Sequence, residues 1–381
     1  DLLNEPTLLN GYTGETNLLS YHGRGVLLCI SPWNFPLAIF LGQIVAGIVV
    51  GNAVIAKPAE QTSLIGAFAI KLLYQSGIPK NVVQFLPGKG SLLGPVLTKD
   101  ARIRGVLFTG STQTAHQINR TLANRNGEIV PFIAETGGQN AMIVDSSALL
   151  EQVTQDVVLS SFGSAGQRCS ALRVLYVQEE IYNPLKNMLI GAMKTLKVDL
   201  PFLQNTDVGP VIDKDAMLSL EKHINQLKDK NQVLYQTPIA GKDKEGYFLS
   251  PTLANIGSIK ELEKEHFGPI LHLVSYKKNH LDQIINEINN TGFGLTLGIH
   301  SRIEDTVEYI ASNINVGNCY INRNVTGAVV GLQPFGGEGL SGTGPKAGGP
   351  NYLLRLCHER TLSIDTTAAG GNASLMAEAS E

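Results

Sequence analysis

Residues 26–56 read VLLCISPWNFPLAIFLGQIVAGIVVGNAVIA, an apolar stretch without a charged side chain. A charge-free run beyond about 18 residues is a transmembrane candidate by length. Its punctuation argues otherwise. Ser31, Asn34, Gln43 and Asn52 interrupt it, Pro32 and Pro36 break its start, and Gly42, Gly47 and Gly51 divide the remainder. The stretch reads as strand, turn, helix, strand: Val26–Ile30 a buried strand, Leu37–Val50 a buried helix, Ala53–Ala56 the next strand. Two parallel strands joined by a helix form a βαβ unit with a right-handed crossover.

Outward from this unit the alternation continues, with a helix over Ser63–Tyr74, a strand over Val82–Leu86, a short helix over Ser91–Leu97 and a strand over Gly105–Phe108. A further helix begins near Ser111, and Glu128–Ala134 reads as a strand ending at Glu135-Thr136-Gly137-Gly138, where a domain boundary is expected. This pattern predicts a parallel sheet with helices on both faces. A second α/β domain comes next, with strands at Ala141–Val144, Arg173–Val177, His272–Tyr276 and Leu295–His300. Helices are expected around Leu149–Phe162, Ile181–Leu196 and Leu281–Asn289. The lysine-bearing run Gln226–Lys244 reads as a solvated face with a turn, and Ala368–Glu381 as a tail or linker.

The 381 residues are 43% hydrophobic and 17% charged, which places the chain among globular α/β proteins of two domains or one large unit. A net charge of −3 excludes a nucleic-acid partner held mainly by charge. The four cysteines, Cys29, Cys169, Cys319 and Cys357, are too dispersed for a metal or redox pair and too few for a disulfide framework, so a reducing, cytoplasmic setting and no metal are expected. The start, Asp1-Leu2-Leu3-Asn4, lacks a basic n-region and an initiator Met; it is no signal peptide and is consistent with a cut end.

Cys169 differs from the other thiols because it lies in Gly163-Ser164-Ala165-Gly166-Gln167-Arg168-Cys169-Ser170, where small neighbours leave room for a substrate and Arg168 supplies an adjacent cation. Positive charge or a helix N-terminus lowers a thiol pKa toward the thiolate that nucleophilic catalysis uses. Cys29 and Cys319 suit a buried structural thiol, and on its own signal Cys169 reads as nucleophile or structural thiol equally well. Glu135, at the end of an apolar strand before flexible glycines, is placed for a raised carboxyl pKa and a general base; an incidental hinge acid is the alternative. Asn34, between Pro32 and Pro36 at a strand end, offers an amide to a developing oxyanion. No G-x-G-x-x-G fingerprint follows a strand. Phe108-Thr109-Gly110-Ser111-Thr112, with Gly110 for close approach and Ser111 at a helix cap, suits a pyrophosphate or an ordinary cap. Lys57-Pro58-Ala59-Glu60 brackets ribose hydroxyls or forms a plain turn.

Taken in order, Ser31–Pro36, Lys57–Glu60, Phe108–Thr112, Glu135–Asn140, Gly166–Ser170, Glu265-His266-Phe267-Gly268-Pro269 and Pro334-Phe335-Gly336-Gly337 resemble the aldehyde dehydrogenase superfamily, from about Leu19 to Gly371. Asn322–Ala328, Gln333–Pro350 and Glu359–Ala377 look similar to the glutamate-semialdehyde dehydrogenase part of the bifunctional proline utilisation A flavoproteins.

The resemblance implies a Rossmann-like parallel-sheet cofactor domain at 21–134 and an α/β catalytic domain at 135–352. It implies a linker or oligomerisation segment at 1–20 and a C-terminal strand and tail at 353–381. It further implies NAD as cofactor, L-glutamate γ-semialdehyde as substrate, a homo-oligomer, and a proline dehydrogenase domain elsewhere in the full-length chain, whose flavin site is not expected in this segment.

By the same resemblance Cys169 attacks the aldehyde, Asn34 and the Cys169 N–H hold the oxyanion, and Glu135 activates the hydrolytic water. Lys57 and Glu60 bind the adenosine ribose, Gly110 and Ser111 the pyrophosphate, and Glu265 the nicotinamide ribose beside Phe267. Phe35, Arg168, Ser170, Gly327, Ala328 and Phe335 contact the substrate, with Thr326–Ala328 as an anchor loop for its α-carboxylate. A cysteine hydrolase or acyltransferase, a broad-specificity aldehyde dehydrogenase, and a truncated module without activity of its own stay open as alternatives.

Overall fold

A computed structural model describes Leu3 and residues 5–239, 246–329 and 331–365. Strands β1 (Thr7–Leu9) and β2 (Glu15–Gly23) form an antiparallel arm. The decisive stretch then folds as read: β3 (Val26–Ile30), α1 (Ala38–Val49) and β4 (Ala53–Lys57), with β3 and β4 parallel. Helix α2 (Ser63–Gln75), β5 (Val83–Phe85), α3 (Gly90–Lys99), β6 (Ile103–Thr109), α4 (Thr112–Asn124) and β7 (Phe132–Glu135) complete a parallel sheet of order β5-β4-β3-β6-β7. Leu27 and Cys29 pack with α1 residues Phe40 and Ile44 on one face, while Leu28 packs with α4 residues Ala115 and Ile118 on the other. Burial on both faces is the physical reason the stretch carries no charge. Strand β7 begins later than expected because Pro131 has no N–H for the ladder; its carbonyl still accepts from the Val106 N–H at 3.0 Å.

The second sheet has order β10-β11-β12-β9-β8-β14-β15. Its elements are β8 (Ala141–Val144), α5 (Leu150–Phe162), β9 (Val174–Gln178), α6 (Glu179–Thr195), α7 (Lys214–Asp229), β10 (Val233–Gln236), β11 (Thr252–Asn255) and β12 (Ile270–Tyr276). Helix α8 (Leu281–Asn289) follows, then β13 (Phe293–Gly294), β14 (Thr296–His300), α9 (Glu304–Asn313) and β15 (Asn318–Ile321). A short β16 (Glu338–Gly339) pairs with β13. Helix α10 (Tyr352–Arg355) docks on the first sheet's core, and β17 (Cys357–Asp365) pairs antiparallel with β2 to finish the arm. Among the described residues, no helix is long and apolar enough to cross a membrane.

Two sequence expectations need correction. The run from Gln226 is not simply a solvated face: Leu227 is buried in the last turn of α7, and β10 joins the sheet edge antiparallel to β11. Lys228 belongs to the exposed side of a helix whose apolar stripe, Leu220, Ile224 and Leu227, faces the core; residues 240–244 lie outside the described residues. Cys319 is exposed, not buried, because β15 alternates and places Asn318 and Tyr320 inward. The tail Ala368–Glu381 also lies outside the described residues.

Candidate active site

In the first sheet the chain steps from β3 to β4 and β5 on one side, then returns to place β6 and β7 on the other. Parallel strands leave a ligand crevice outside their carboxyl ends at such a reversal. The candidates of this region lie along that edge: Lys57 ends β4, Asn34 follows β3, Gly110 and Ser111 follow β6, and Glu135 ends β7. Strand order thus lines up residues that are far apart in sequence.

At one end of the line Lys57 is buried and its Nζ donates to the Pro58 carbonyl at 2.8 Å. Burial lowers its pKa, with the Glu60 charge opposing. Burial by itself would raise the Glu60 carboxyl; the Gly90 N–H, which donates to Oε1 at 2.5 Å, together with the Lys57 and Lys89 charges holds it below the ordinary carboxylate range. Ser111 caps α4, its Oγ accepting the Thr114 N–H at 3.2 Å, and Gly110 packs so closely on the Phe108 ring that a Cβ there would stand 2.6 Å from it. A buried ammonium, an ionised carboxylate and the N-termini of α3 and α4 form a donor and acceptor set that fits a ribose and a diphosphate.

At the other end lies the Cys169 loop. Asn140 Nδ2 donates to the Cys169 and Ala171 carbonyls at 2.6 and 2.9 Å, fixing the backbone around the thiol, and Asn34 Nδ2 reaches the Gln167 carbonyl at 3.2 Å. Two segments separated by more than a hundred residues thus meet beside Cys169. The thiol itself departs from expectation: burial, then the Glu265 and Glu135 charges, push it up to about 12. The cation expected beside it is directed elsewhere. Arg168 Nε donates to Ser164 Oγ at 3.0 Å and its guanidinium sits 5.8 Å from the Phe35 ring centroid.

Glu135 matches the expectation of a raised carboxyl. Burial pushes it up to about 8, the Gly337 N–H and the Lys346 charge offsetting only part, and no hydrogen bond of full geometry reaches either oxygen. Glu265 is also raised by burial but has a strong partner, Arg173 Nη2 at 2.9 Å. Its Oε2 lies against Gly137, where a Cβ would stand 1.8 Å away. Phe267 meets Trp33 edge-on at 5.6 Å, which joins the Glu265 loop to the Asn34 turn.

Ser170 is buried beside Cys169. In the anchor loop Thr326 donates its N–H to Asn324 Oδ1 at 3.2 Å, and Gly327 takes φ +79° with open space around it. Ala328 follows it half-buried, and Phe335 is fixed by a two-way backbone bridge to Ala347 at 3.0 and 2.8 Å. Sequence reasoning missed Arg173 and Asn140. Arginine next to an apolar strand, where charge is costly to bury, was the available signal for the first; Asn140 closes the Glu135–Asn140 motif, which marks it without giving its role.

A family model for the aldehyde dehydrogenase family matches residues 2–362. The chain belongs to that family. This aldehyde dehydrogenase chain is 53% identical over 352 residues to the bifunctional protein PutA of Salmonella typhimurium, covering 90% of this chain and 27% of that protein. It is 38% identical over 355 residues to 1-pyrroline-5-carboxylate dehydrogenase of a Geobacillus strain, covering 92% of this chain and 68% of that one. Among solved structures, a bifunctional proline utilization A protein superposes with a TM-score of 0.94 at 52% identity, over 97% of this chain and 37% of that one. A Thermus 1-pyrroline-5-carboxylate dehydrogenase with bound NAD gives 0.88 at 35% identity, over 94% and 69%. The chain thus spans about a quarter of the length of the curated PutA relatives it matches.

Proposed function

We propose that this aldehyde dehydrogenase oxidises L-glutamate γ-semialdehyde to L-glutamate with NAD, as one part of a bifunctional proline-degrading enzyme whose proline dehydrogenase domain lies elsewhere in the full chain. The observation that carries the reading is the buried Glu135 carboxyl, which meets no hydrogen bond of full geometry and lies close enough to Cys169 for its charge to raise the thiol.

In the resting protein Cys169 is a thiol, and the Glu135 carboxylate is the acceptor beside it. As the proton leaves, the sulfur bonds to the aldehyde carbon and the carbonyl oxygen becomes an oxyanion, received by the second Asn34 amide proton and the Cys169 N–H. Bound NAD supplies the acceptor for the hydride that leaves this carbon. The product on the enzyme is a Cys169 thioester. Glu135 gives up the thiol proton to solvent, then takes a proton from a water as it attacks the thioester carbon, and returns it to the sulfur as the C–S bond breaks to release glutamate and the thiol. Lys57 and Glu60 hold the adenosine ribose, Gly110 and Ser111 the pyrophosphate, and Glu265 with Phe267 the nicotinamide ribose end.

The Gly327 and Ala328 N–H groups, which enter no hydrogen bond among the described residues, and the Ser170 hydroxyl face the α-carboxylate. Phe35, stacked under Arg168, and Phe335 flank the aliphatic chain. The outward arm exposes Leu8, Tyr12, Leu362 and Ile364, a surface suited to a second copy. Free thiols throughout suit a reducing, cytoplasmic setting.

Comparison of glutamate semialdehyde with pentanal in an NAD-reduction assay tests the assignment. Each hydrogen bond to the carboxylate contributes roughly 1.5 to 3 kcal/mol, so pentanal should lose at least about tenfold in kcat/KM, and Ser170→Ala should shrink the gap. Equal efficiency for both aldehydes would leave a broad-specificity dehydrogenase.

A further inference from the structure

Arg173, immediately before β9, is only 2% exposed and is the largest fully buried side chain among the described residues. Its guanidinium is divided between two loops. Nη1 donates to the Gly166 carbonyl at 2.7 Å and the Gly268 carbonyl at 3.3 Å; Nη2 donates to the Arg168 carbonyl at 3.1 Å and Glu265 Oε1 at 2.9 Å. One side of each pair is the approach to Cys169, the other the loop of Glu265. The Cζ atom also sits 5.1 Å from the Phe267 ring centroid, and Phe267 in turn packs on Trp33.

The Cys169 loop needs such a partner. Ser164, Ala165 and Gly166 take φ values of +55°, +53° and +66°, a left-handed run that costs free energy at the two non-glycine positions and persists only when the surroundings over-determine it. The two loops approach so closely that a Cβ on Gly166 would stand 2.1 Å from the Gly268 oxygen. Four acceptors spread over two loops match a guanidinium fork and exceed what one ammonium can reach.

Arg173 is itself held from behind. Its carbonyl can only accept, so His272 Nδ1 carries the proton of their 2.9 Å hydrogen bond, and the neutral His272 Nε2 accepts from His223 Nε2–H at 2.9 Å. Burial keeps both rings neutral, with His223 pushed down to about 4 and His272 to about 3.

We propose that Arg173 is a positioning residue for the reaction, a single guanidinium that clamps the strained loop carrying Cys169 to the loop carrying Glu265. The proposal rests on the dehydrogenase reading for the roles of Cys169 and Glu265.

The chain has one tryptophan, Trp33, and it lies on this junction, so its fluorescence reports cofactor binding without turnover. Exposed Cys319 serves as the internal reference for site-resolved alkylation of Cys169 by iodoacetamide. Arg173→Gln should weaken NAD binding about tenfold or more and raise the Cys169 to Cys319 alkylation ratio severalfold, with Arg173→Lys intermediate in both. Glu265→Gln should weaken NAD as well, and the double variant should bind no worse than Arg173→Gln alone, because the two residues act through one contact.

An unchanged affinity and alkylation ratio in Arg173→Gln, or additive losses in the double variant, would overturn the clamp. Should Arg173→Gln fail to fold, Arg173→Lys and Glu265→Gln decide by the same readouts, and wild-type values in both contradict it. If the wild-type protein oxidises no aldehyde, the functional reading fails while the alkylation ratio still decides the clamp.

Discussion

Two carboxylates flank Cys169, and they differ in their partners. Glu135 ends a sheet strand, is buried, and meets no hydrogen bond of full geometry; Glu265 lies in a loop, is also buried, and is tied to a guanidinium. Burial pushes both carboxyl groups up; at Glu135 the Gly337 N–H and the Lys346 charge offset only part of this, whereas Glu265 is paired directly with the Arg173 guanidinium. The same side chain is thereby made into two tools. A carboxyl that titrates near neutrality can take and return a proton during turnover, whereas one paired to arginine is a fixed acceptor for hydroxyl groups. On the proposed function, environment rather than residue type makes Glu135 the base and Glu265 the binder.

The largest expected effect precedes the division between the two. Asn34→Ala removes an oxyanion donor and should lower the rate by roughly a hundredfold or more. Because Asn34 acts before either carboxylate's step is complete, the first burst of NADH and the steady state should fall together in rapid-mixing traces; loss confined to the steady state would break the comparison. Next, Gly137→Ala places a methyl where Glu265 Oε2 now lies, at 1.8 Å. NAD affinity should drop by about tenfold or more while the titration of Glu135 stays in place, and an unchanged affinity by Trp33 fluorescence would detach Glu265 from the cofactor.

A third carboxylate extends the comparison. Glu60, kept ionised by Gly90 and nearby lysines, would meet the 2′-phosphate of NADP with like charge, so NAD should be preferred by about tenfold or more in kcat/KM. Parity between the cofactors would remove Glu60 from the ribose.

The smallest effect is in stability. Glu135 is raised from 4.5 to about 8 in the folded chain, so its contribution is fully present below pH 4.5 and is lost as pH rises through about 8. Wild-type Tm should fall across that window relative to Glu135→Gln, and parallel Tm curves would contradict the raised value. Turnover has the opposite sign, since hydrolysis needs the ionised form and its rate should climb toward a plateau above about pH 8.

Much of this could be read from the sequence. The charge-free stretch at Val26–Ala56 carried the first βαβ unit because burial on both faces leaves a run that only glycine, proline and amides interrupt. The ordered motifs named Asn34 and Glu135, which follow β3 and end β7 at one edge of the first sheet, and Cys169, whose loop Asn34 reaches through the Gln167 carbonyl. The hidden part was directional. Arg168 is adjacent to Cys169 in sequence, yet its side chain turns to Ser164 and Phe35, and the charges that reach the thiol come from Glu265 and Glu135. The partners of Arg173 were equally hidden, because its four acceptors are mainly backbone carbonyls, which no residue pattern encodes. The amphipathic α7 was missed because its stripe is only three residues, Leu220, Ile224 and Leu227, set among charged and amide side chains.

The division of labour is tested most directly by rapid mixing of the enzyme with NAD and glutamate semialdehyde, with NADH absorbance followed through the first turnover. Cys169→Ala should give no burst and no turnover. Glu135→Gln, in the presence of a small added base to accept the thiol proton, should give one burst of NADH and then stall with a Cys169 thioester detectable by mass spectrometry. Equal loss of the burst in both variants, with no trapped thioester, would contradict Glu135 as the base for thioester hydrolysis.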